Sequence, residues 1–320
     1  MKILVTGGCG YKGSILIPKL LEAGHEIISY DTEWFGNYLT KHKNLKTIKG
    51  DVRDIEKIPL KDIDTIIHLA NIANDPAVDL NPNLSWEVNV LASNQIADKA
   101  VRNGVKQIIY ASSGSVYGIK DEENVTEDLE LVPISVYNKT KMIAERVLLS
   151  YSSALKIHII RPATVCGISP RMRLDVSVNM LTYQALTNKL ITVFGGEQTR
   201  PNIHIKDMAN VYLHFLQNLN IDSGCYNAGF ENISILEIAK RVASKVDTEI
   251  KITESNDPRS YRQDSSKLLS TGFKPEFGVD YAIDEIINAY RNNLLCYNEK
   301  WFTVKWMKEL IKDNLICTSF

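Results

Sequence analysis

The stretch ILVTGGCGYKGS, residues 3–14, decides the fold. A short apolar strand over 2–6 runs straight into Gly7, Gly10 and Gly13, spaced G-x-x-G-x-x-G. Residues 12–23 then read as a helix with Ile15, Leu16, Leu20 and Leu21 on one face. Pro18 inside that helix predicts a local kink or a late start. In such a loop the first glycine permits a tight turn, the second lets a pyrophosphate approach the backbone, and the third lets the helix pack on the strand. Free N–H groups and the positive end of the helix dipole then face the phosphates. Alone, the loop also reads as a bare turn. A second feature is independent of it: the next strand, IISYD, closes on Asp31, 18 residues after Gly13. A carboxylate there takes the ribose hydroxyls of NAD and repels the extra phosphate of NADP.

Further strands read over 25–31, 45–51, 64–70, 105–113 and 155–163, with helical patterns between them, notably 86–103 and 137–152. Strand and helix alternating at this spacing mean an α/β fold with a doubly wound parallel sheet. Ligands then collect beyond the C-terminal strand ends. After residue 163 the rhythm changes: 164–175 reads as a loop, 176–189 as a helix and 190–196 as a strand. A helix over 205–219 and a strand over 224–228 read as a return to the main sheet. The expected organisation is a nucleotide-binding domain over 1–163, rejoined by 204–228, interleaved with a smaller α/β C-terminal lobe over 164–203 and 229–320. The tail, 296–320, is rich in Trp and aliphatic residues and reads as packing on that lobe or on another subunit.

The 320 residues are 44% hydrophobic and 23% charged, with net charge −1. That is ordinary globular composition, without the basic field that nucleic-acid binding uses. Cys9, Cys166, Cys225, Cys296 and Cys317 are scattered, with no C-x-x-C pair. They suit neither a disulfide framework nor a metal site and fit the reduced thiols of a cytoplasmic protein. No run approaches the roughly 18 apolar residues of a membrane helix, and the short strand after Lys2 does not read as a leader.

Tyr137 and Lys141, in YNKTK (137–141), lie four apart at the start of a helix and share a face. A free tyrosine, with a pKa of about 10, is a poor base at neutral pH. A nearby ammonium and the positive ring of NAD⁺ favour the phenolate, which can take a proton from a sugar hydroxyl while hydride leaves the same carbon. Alone, the pair also reads as a solvated pair on a helix surface. YASSGSVYG (110–118) ends a strand in hydroxyls, and Ser113 there can bond the reacting oxygen.

Gly7, Gly10, Gly13, Asp31, GDVRD (50–54), HLA (68–70), Asn89, SSGSVYG (112–118), the Tyr137–Lys141 pair and RPATVCG (161–167) occur in order over nearly the whole chain. The set resembles the extended short-chain dehydrogenase/reductases, and within them the NAD-dependent epimerase/dehydratase group acting on nucleotide-linked sugars. The resemblance implies a Rossmann domain, a sugar-nucleotide lobe, NAD as cofactor, and Ser113, Tyr137 and Lys141 as the catalytic triad, with Lys141 also holding the nicotinamide ribose. It places Asp51 and Val52 near the adenine, and Leu69, Ala70 and Ala111 along the cofactor groove. Tyr11, Lys12, Asn89 and Pro162 are counted with the cofactor contacts. Thr164 stands where many members carry a substrate-contacting Asn, and Asn179 matches a position that contacts diphosphate or base. Sugar 4,6-dehydratases of the group carry Asp-Glu after the catalytic hydroxyl. Gly114 and Ser115 stand there instead, so the acid that dehydration needs is missing.

Arginines grip phosphate with two bonds. Of Arg171, Arg173, Arg200, Arg259 and Arg262, the resemblance favours Arg200 and Arg259 as diphosphate ligands. The segment SPRMRLD (169–175) reads as pocket lining or as a helix cap. The loop over 71–82, with Asn71, Asn74 and Asp75, can border a sugar but is also ordinary turn chemistry. His68 reads as structural. In overall look the chain resembles heptose-modifying 4-dehydrogenases of bacterial capsule pathways, which use GDP-linked substrates. A 4-dehydrogenase and a 4-epimerase begin with the same oxidation, and the motifs do not separate them. A non-catalytic, cofactor-sensing or RNA-associated protein on the same fold is the alternative of another class; the intact Ser113, Tyr137 and Lys141 argue against it. Group members commonly pair through helices like 86–103 and 137–152, which implies a dimer.

Overall fold

The computed structural model describes residues 1–254 and 260–316. Its main sheet is built from β1 (Lys2–Thr6), β2 (Glu26–Asp31), β3 (Leu45–Lys49), β4 (Thr65–His68), β5 (Gln107–Ala111), β6 (Lys156–Pro162) and β10 (Gly224–Ala228). They lie in the order β10-β6-β5-β4-β1-β2-β3, all parallel. Successive side chains of a strand point to opposite faces, and here both faces are covered. Leu4, Ile66, Ile108 and Ile157 join one core, and Ile3, Val5, Ile67, Ile109 and Ile160 the other. That is why these strands read as continuous apolar runs.

The second core is closed by α1 (Gly13–Glu22) and, much later in the chain, α7 (Ile205–Gln217). Pro18 lies within α1, which starts at Gly13 and runs on past it. The first core lies under α2 (Asp75–Val78), α3 (Pro82–Trp86), α4 (Ala92–Arg102) and α5 (Val136–Leu149). The expected helix over 86–103 begins earlier, at Pro82, because Asn81 caps it by accepting from Leu84 N. A π-helical turn over Glu87–Leu91 joins α3 to α4. Behind the ends of β5 and β6, Arg161 and Glu145 form a buried ion pair at 2.8 Å, with Tyr117 accepting a further Arg161 N–H.

The smaller lobe holds a three-stranded sheet of β7 (Thr164–Cys166), β9 (Thr199–His204) and β11 (Glu231–Ser234), and a parallel pair of β8 (Leu190–Phe194) and β12 (Glu249–Thr253). Its core gathers α6 (Ser177–Asn188), α8 (Ile235–Ala243) and α10 (Val279–Arg291). The loop expected over 164–175 therefore starts as a strand: three residues are too few to show a period, and their partner in β9 lies far along the chain. Two segments placed with the lobe by sequence reach the main sheet. Leu268 of α9 (Ser266–Ser270) and Phe273 join one of its cores. Met307 and Leu310 of α11 (Thr303–Lys312), followed by Ile316, join the other. Among the described residues, no helix is long and apolar enough to cross a membrane.

Candidate active site

β1 ends at Thr6, whose hydroxyl is 2.6 Å from His68 Nδ1; His68 Nε2 in turn meets Ser93 Oγ at 3.0 Å. Burial pushes His68 down to about 3, so it ties strands together as a neutral ring. Gly7 follows with φ 71°, and a Cβ on it would lie 2.6 Å from Ala70 N. Gly13 packs against the Gly8 backbone so closely that a Cβ there would strike the Gly8 carbonyl. The amides of Tyr11 and Lys12 carry no hydrogen bond among the described residues. They are donors left for an anion at the start of α1. Asp31 closes β2, its carboxylate accepting from Cys9 N (3.0 Å) and Glu33 N (2.7 Å). Burial raises its pKa while those two amides pull it down.

These groups face one cavity of about 680 Å³ between the main sheet and the smaller lobe. It is lined by Gly7, Gly10, Tyr11, Lys12, Gly13, Asp31, Asp51, Val52, Leu69, Ala70 and Pro162, and on the other side by Ser113, Tyr137, Thr164 and Arg200. Burial, with Arg173 adding like charge, pushes the Lys12 ammonium down to about 8. Tyr11 turns its phenol to the lobe, donating to Gly167 O at 2.7 Å.

α5 brings in the reactive phenol. Ser135 caps it, accepting from Asn138 N, and Tyr137 sits in the first turn. Burial pushes Tyr137 up to about 12; a Ser113 hydrogen bond pulls it down, Asp75 raises it, and Arg173 lowers it. Ser113 Oγ lies 2.7 Å from Ser115 Oγ, which accepts from Asn138 Nδ2 at 2.8 Å. One turn along α5, Lys141 is buried behind the cavity wall and donates to Ala111 O (2.7 Å) and Tyr110 Oη (3.2 Å). Burial pushes its pKa well below the ordinary value, and Glu145 opposes this. Two of its three N–H donors are thus taken.

Several of the expected residues lie off the cavity lining or are already engaged within the protein. Ala111 and Lys141 stand behind the lining, with the Ala111 carbonyl spent on the ammonium. Asn89 does not face the cavity: its amide bonds the Ile72 backbone and Thr140, holding the loop after β4. Asn179 is also internal, bonding Gly167, Arg173 O and the Tyr11 phenol, so it bolts the lobe to the glycine loop from behind the cavity lining. Asp51 lines the cavity, but Arg53 holds its carboxylate at 2.8 Å. Arg259 lies outside the described residues.

On the far wall, SPRMRLD (169–175) lines the cavity through Arg171, Arg173 and Asp175, one of its two readings, whereas sequence reasoning did not bring the tail there. Arg171 is buried over the Phe35 ring at 4.1 Å and donates to Met172 O and Thr303 Oγ1, both at 3.3 Å. Its Nε has no hydrogen-bond partner among the described residues, and burial pushes the guanidinium down to about 9. Thr303, Val304 and Met307 of α11 line the same cavity, and Trp306 Nε1 bonds Trp34 O at 2.6 Å. Apolar residues at helical spacing in the tail were the one available signal, and such spacing does not say what the helix covers.

A glycine loop with unspent amides, an acid closing the second strand, and a buried phenol and hydroxyl share one cavity, a set that suits a bound dinucleotide. The chain belongs to the NAD dependent epimerase/dehydratase family, whose model matches residues 3–229. It is an enzyme of that family, which acts on nucleotide sugars, with NAD as its cofactor. It is 30% identical over 305 residues to a Methanocaldococcus jannaschii protein described as "Putative UDP-glucose 4-epimerase", covering 91% of this chain and 99% of that one. It is 28% identical to UDP-glucuronic acid decarboxylase 1 of Danio rerio, covering 92% and 73%. The solved structure of UDP-glucuronic acid 4-epimerase from Bacillus cereus, in complex with UDP-glucuronic acid and NAD, superposes with a TM-score of 0.81 at 27% identity, covering 92% of this chain and 100% of that one.

Proposed function

We propose that this enzyme oxidises C4 of a nucleotide-activated sugar, with Tyr137 as the base. The observation that carries the reading is that Tyr137 and Ser113 line the same cavity as the glycine loop and Asp31. The phenolate of Tyr137 accepts the proton of the sugar hydroxyl, and Ser113 hydrogen-bonds the oxygen as it becomes a ketone. NAD⁺, when bound, supplies the hydride acceptor. Lys141, one helical turn along α5 from Tyr137, fixes the end of β5 through the Ala111 carbonyl. Its remaining N–H is the one suited to a ribose hydroxyl. Ser115, hydrogen-bonded between Ser113 and Asn138, offers no acid for loss of water. Arg200 is the diphosphate ligand on the lobe side, with Thr164 beside the sugar.

Two fates of the 4-keto sugar follow. Release makes the enzyme a 4-dehydrogenase; return of hydride to the other face makes it a 4-epimerase, which the similarity to UDP-glucose and UDP-glucuronic acid 4-epimerases supports. A GDP-linked manno-type hexose or heptose, with a role in capsule synthesis, is the finer reading and rests on overall likeness of sequence. Pairing of two copies through α4 and α5 belongs to the same reading, supported by Leu91 and Val101, which stand 51% and 38% exposed along the π turn and α4. Incubation of the purified protein with a panel of UDP- and GDP-sugars, following 340 nm absorbance and product stereochemistry, tests the function. Net NADH marks a dehydrogenase, and an inverted sugar without NADH marks an epimerase. The account expects Tyr137→Phe to abolish both while NAD stays bound; undiminished turnover in that variant would refute it.

A further inference from the structure

Thr303, Val304 and Met307 of α11 line the cavity, and two sets of hydrogen bonds hold them there. On the lobe side, the loop between β7 and α6 grips the start of the helix. Leu174 N donates to Trp301 O at 2.9 Å, Thr303 N to the Asp175 carboxylate at 3.1 Å, and Arg171 to Thr303 Oγ1 at 3.3 Å. On the other side, Trp306 Nε1 donates to Trp34 O at 2.6 Å. Trp34 and Phe35 ride on the turn that follows Asp31. Glu33 at φ 56° and Gly36 at φ 92° shape that turn, and Gly36 N closes it on Glu33 O at 2.9 Å. A positive φ is uncommon for a residue such as Glu33 and persists where surrounding contacts hold it. Phe35 presents its ring to the Arg171 guanidinium at 4.1 Å. α11 thus bridges the smaller lobe and the turn after β2, the strand whose closing Asp31 suits the adenosine ribose.

We propose that α11 is part of the dinucleotide site: it clasps the adenosine end through Arg171 and the turn after β2, and it undocks before the cofactor exchanges. The inference rests on NAD as the cofactor and uses nothing of the C4 chemistry. Arg171 is buried, and among the described residues it donates to Met172 O and Thr303 Oγ1 and to no carboxylate. Burying a cation without an anion beside it is costly. A dinucleotide seated from Asp31 towards Tyr137 brings the negative charge of its diphosphate into this cavity. That charge stabilises the guanidinium where it bonds Thr303, and so stabilises the docked helix. Coupling of this kind is reciprocal: the docked helix holds the dinucleotide more tightly, and the dinucleotide holds the helix in place.

Two measurements on the full chain test this, and neither reads turnover. The first is amide hydrogen exchange of wild type with and without saturating NAD, which reports local opening. Exchange over 303–312 is expected to slow with NAD at least tenfold more than exchange over α7, none of whose residues lines the cavity. Exchange over 303–312 that stays unchanged, or slows no more than over α7, overturns the proposal without recourse to any variant. The second loads the protein with radiolabelled NAD, chases with unlabelled NAD and follows loss of bound label. Thr303→Val removes the acceptor of the Arg171 bond, and Trp306→Phe removes the donor to Trp34 O while keeping a ring. The chain carrying both is expected to release NAD at least tenfold faster than wild type. Lys305→Ala, on the exposed side of the same helix where Lys305 meets Tyr297 and Glu299, is expected to release it at the wild-type rate. Release from the double variant within twofold of wild type overturns the proposal, as does equal acceleration by Lys305→Ala. Either failure leaves C4 oxidation by Tyr137 standing.

Discussion

At the scale of single residues, the glycine loop was legible because backbone rules fix it. Gly7 has a positive φ and touches the Ala70 backbone, and Gly13 meets the Gly8 carbonyl, so no other residue type fits. Asp31 was legible because a strand end and a loop end must meet. The internal hydrogen bonds of Asn89 and Asn179 were not, since the direction of a buried amide depends on partners elsewhere in the chain, Ile72 and Thr140 for one, Tyr11 and Gly167 for the other. The phenol carries a pH prediction. Tyr137 is raised to about 12 by burial, lowered by its Ser113 bond, raised by Asp75, lowered by Arg173 and raised by Tyr261. Activity that needs the phenolate climbs with pH, and removing the Asp75 charge makes ionisation easier. The ascending limb of kcat/KM for Asp75→Asn is expected at lower pH than in wild type; a limb that stays in place or moves up contradicts this neighbourhood.

At the scale of elements, doubly buried strands announced themselves as apolar runs, and every strand of the main sheet was readable. β7 was not, because three residues show no period. The tail was readable as rich in Trp and aliphatic residues but not as the wall of the cavity, since Val304 and Met307 say nothing about Trp34 or Arg171 until the chain has folded. Behind the site, α5 is tied to β6 by the buried Arg161–Glu145 pair, with Ser112 also donating to Glu145. Leaving one member of such a pair unmatched typically costs about 3–5 kcal/mol. Glu145→Gln is therefore expected to lower the unfolding free energy by an amount of that order, read as a lower urea midpoint, and to loosen the helix that carries Tyr137 and Lys141. A midpoint within experimental error of wild type would show the pair to be dispensable.

At the scale of the whole molecule, the cavity exists because the chain crosses between two lobes several times. The main sheet supplies the glycine loop, Asp31 and Ser113, and the lobe returns Arg171, Arg173 and Arg200 to the same space. This interleaving was visible in the changed rhythm after residue 163, whereas the return of the last helix to the main sheet was not. Pairing through α4 and α5 predicts a mass in solution twice that of the chain by light scattering, and a monomer on Leu91→Arg; a wild-type monomer would contradict it. The central claim is that Tyr137 drives hydride from a single sugar carbon to NAD. Its most direct test is rapid mixing of holoenzyme with an active nucleotide sugar carrying deuterium at C4, read at 340 nm. The account predicts slower NADH formation than with protium at C4 and none in Tyr137→Phe, whereas an equal rate with either isotope together with a Tyr137→Phe trace matching wild type would contradict it.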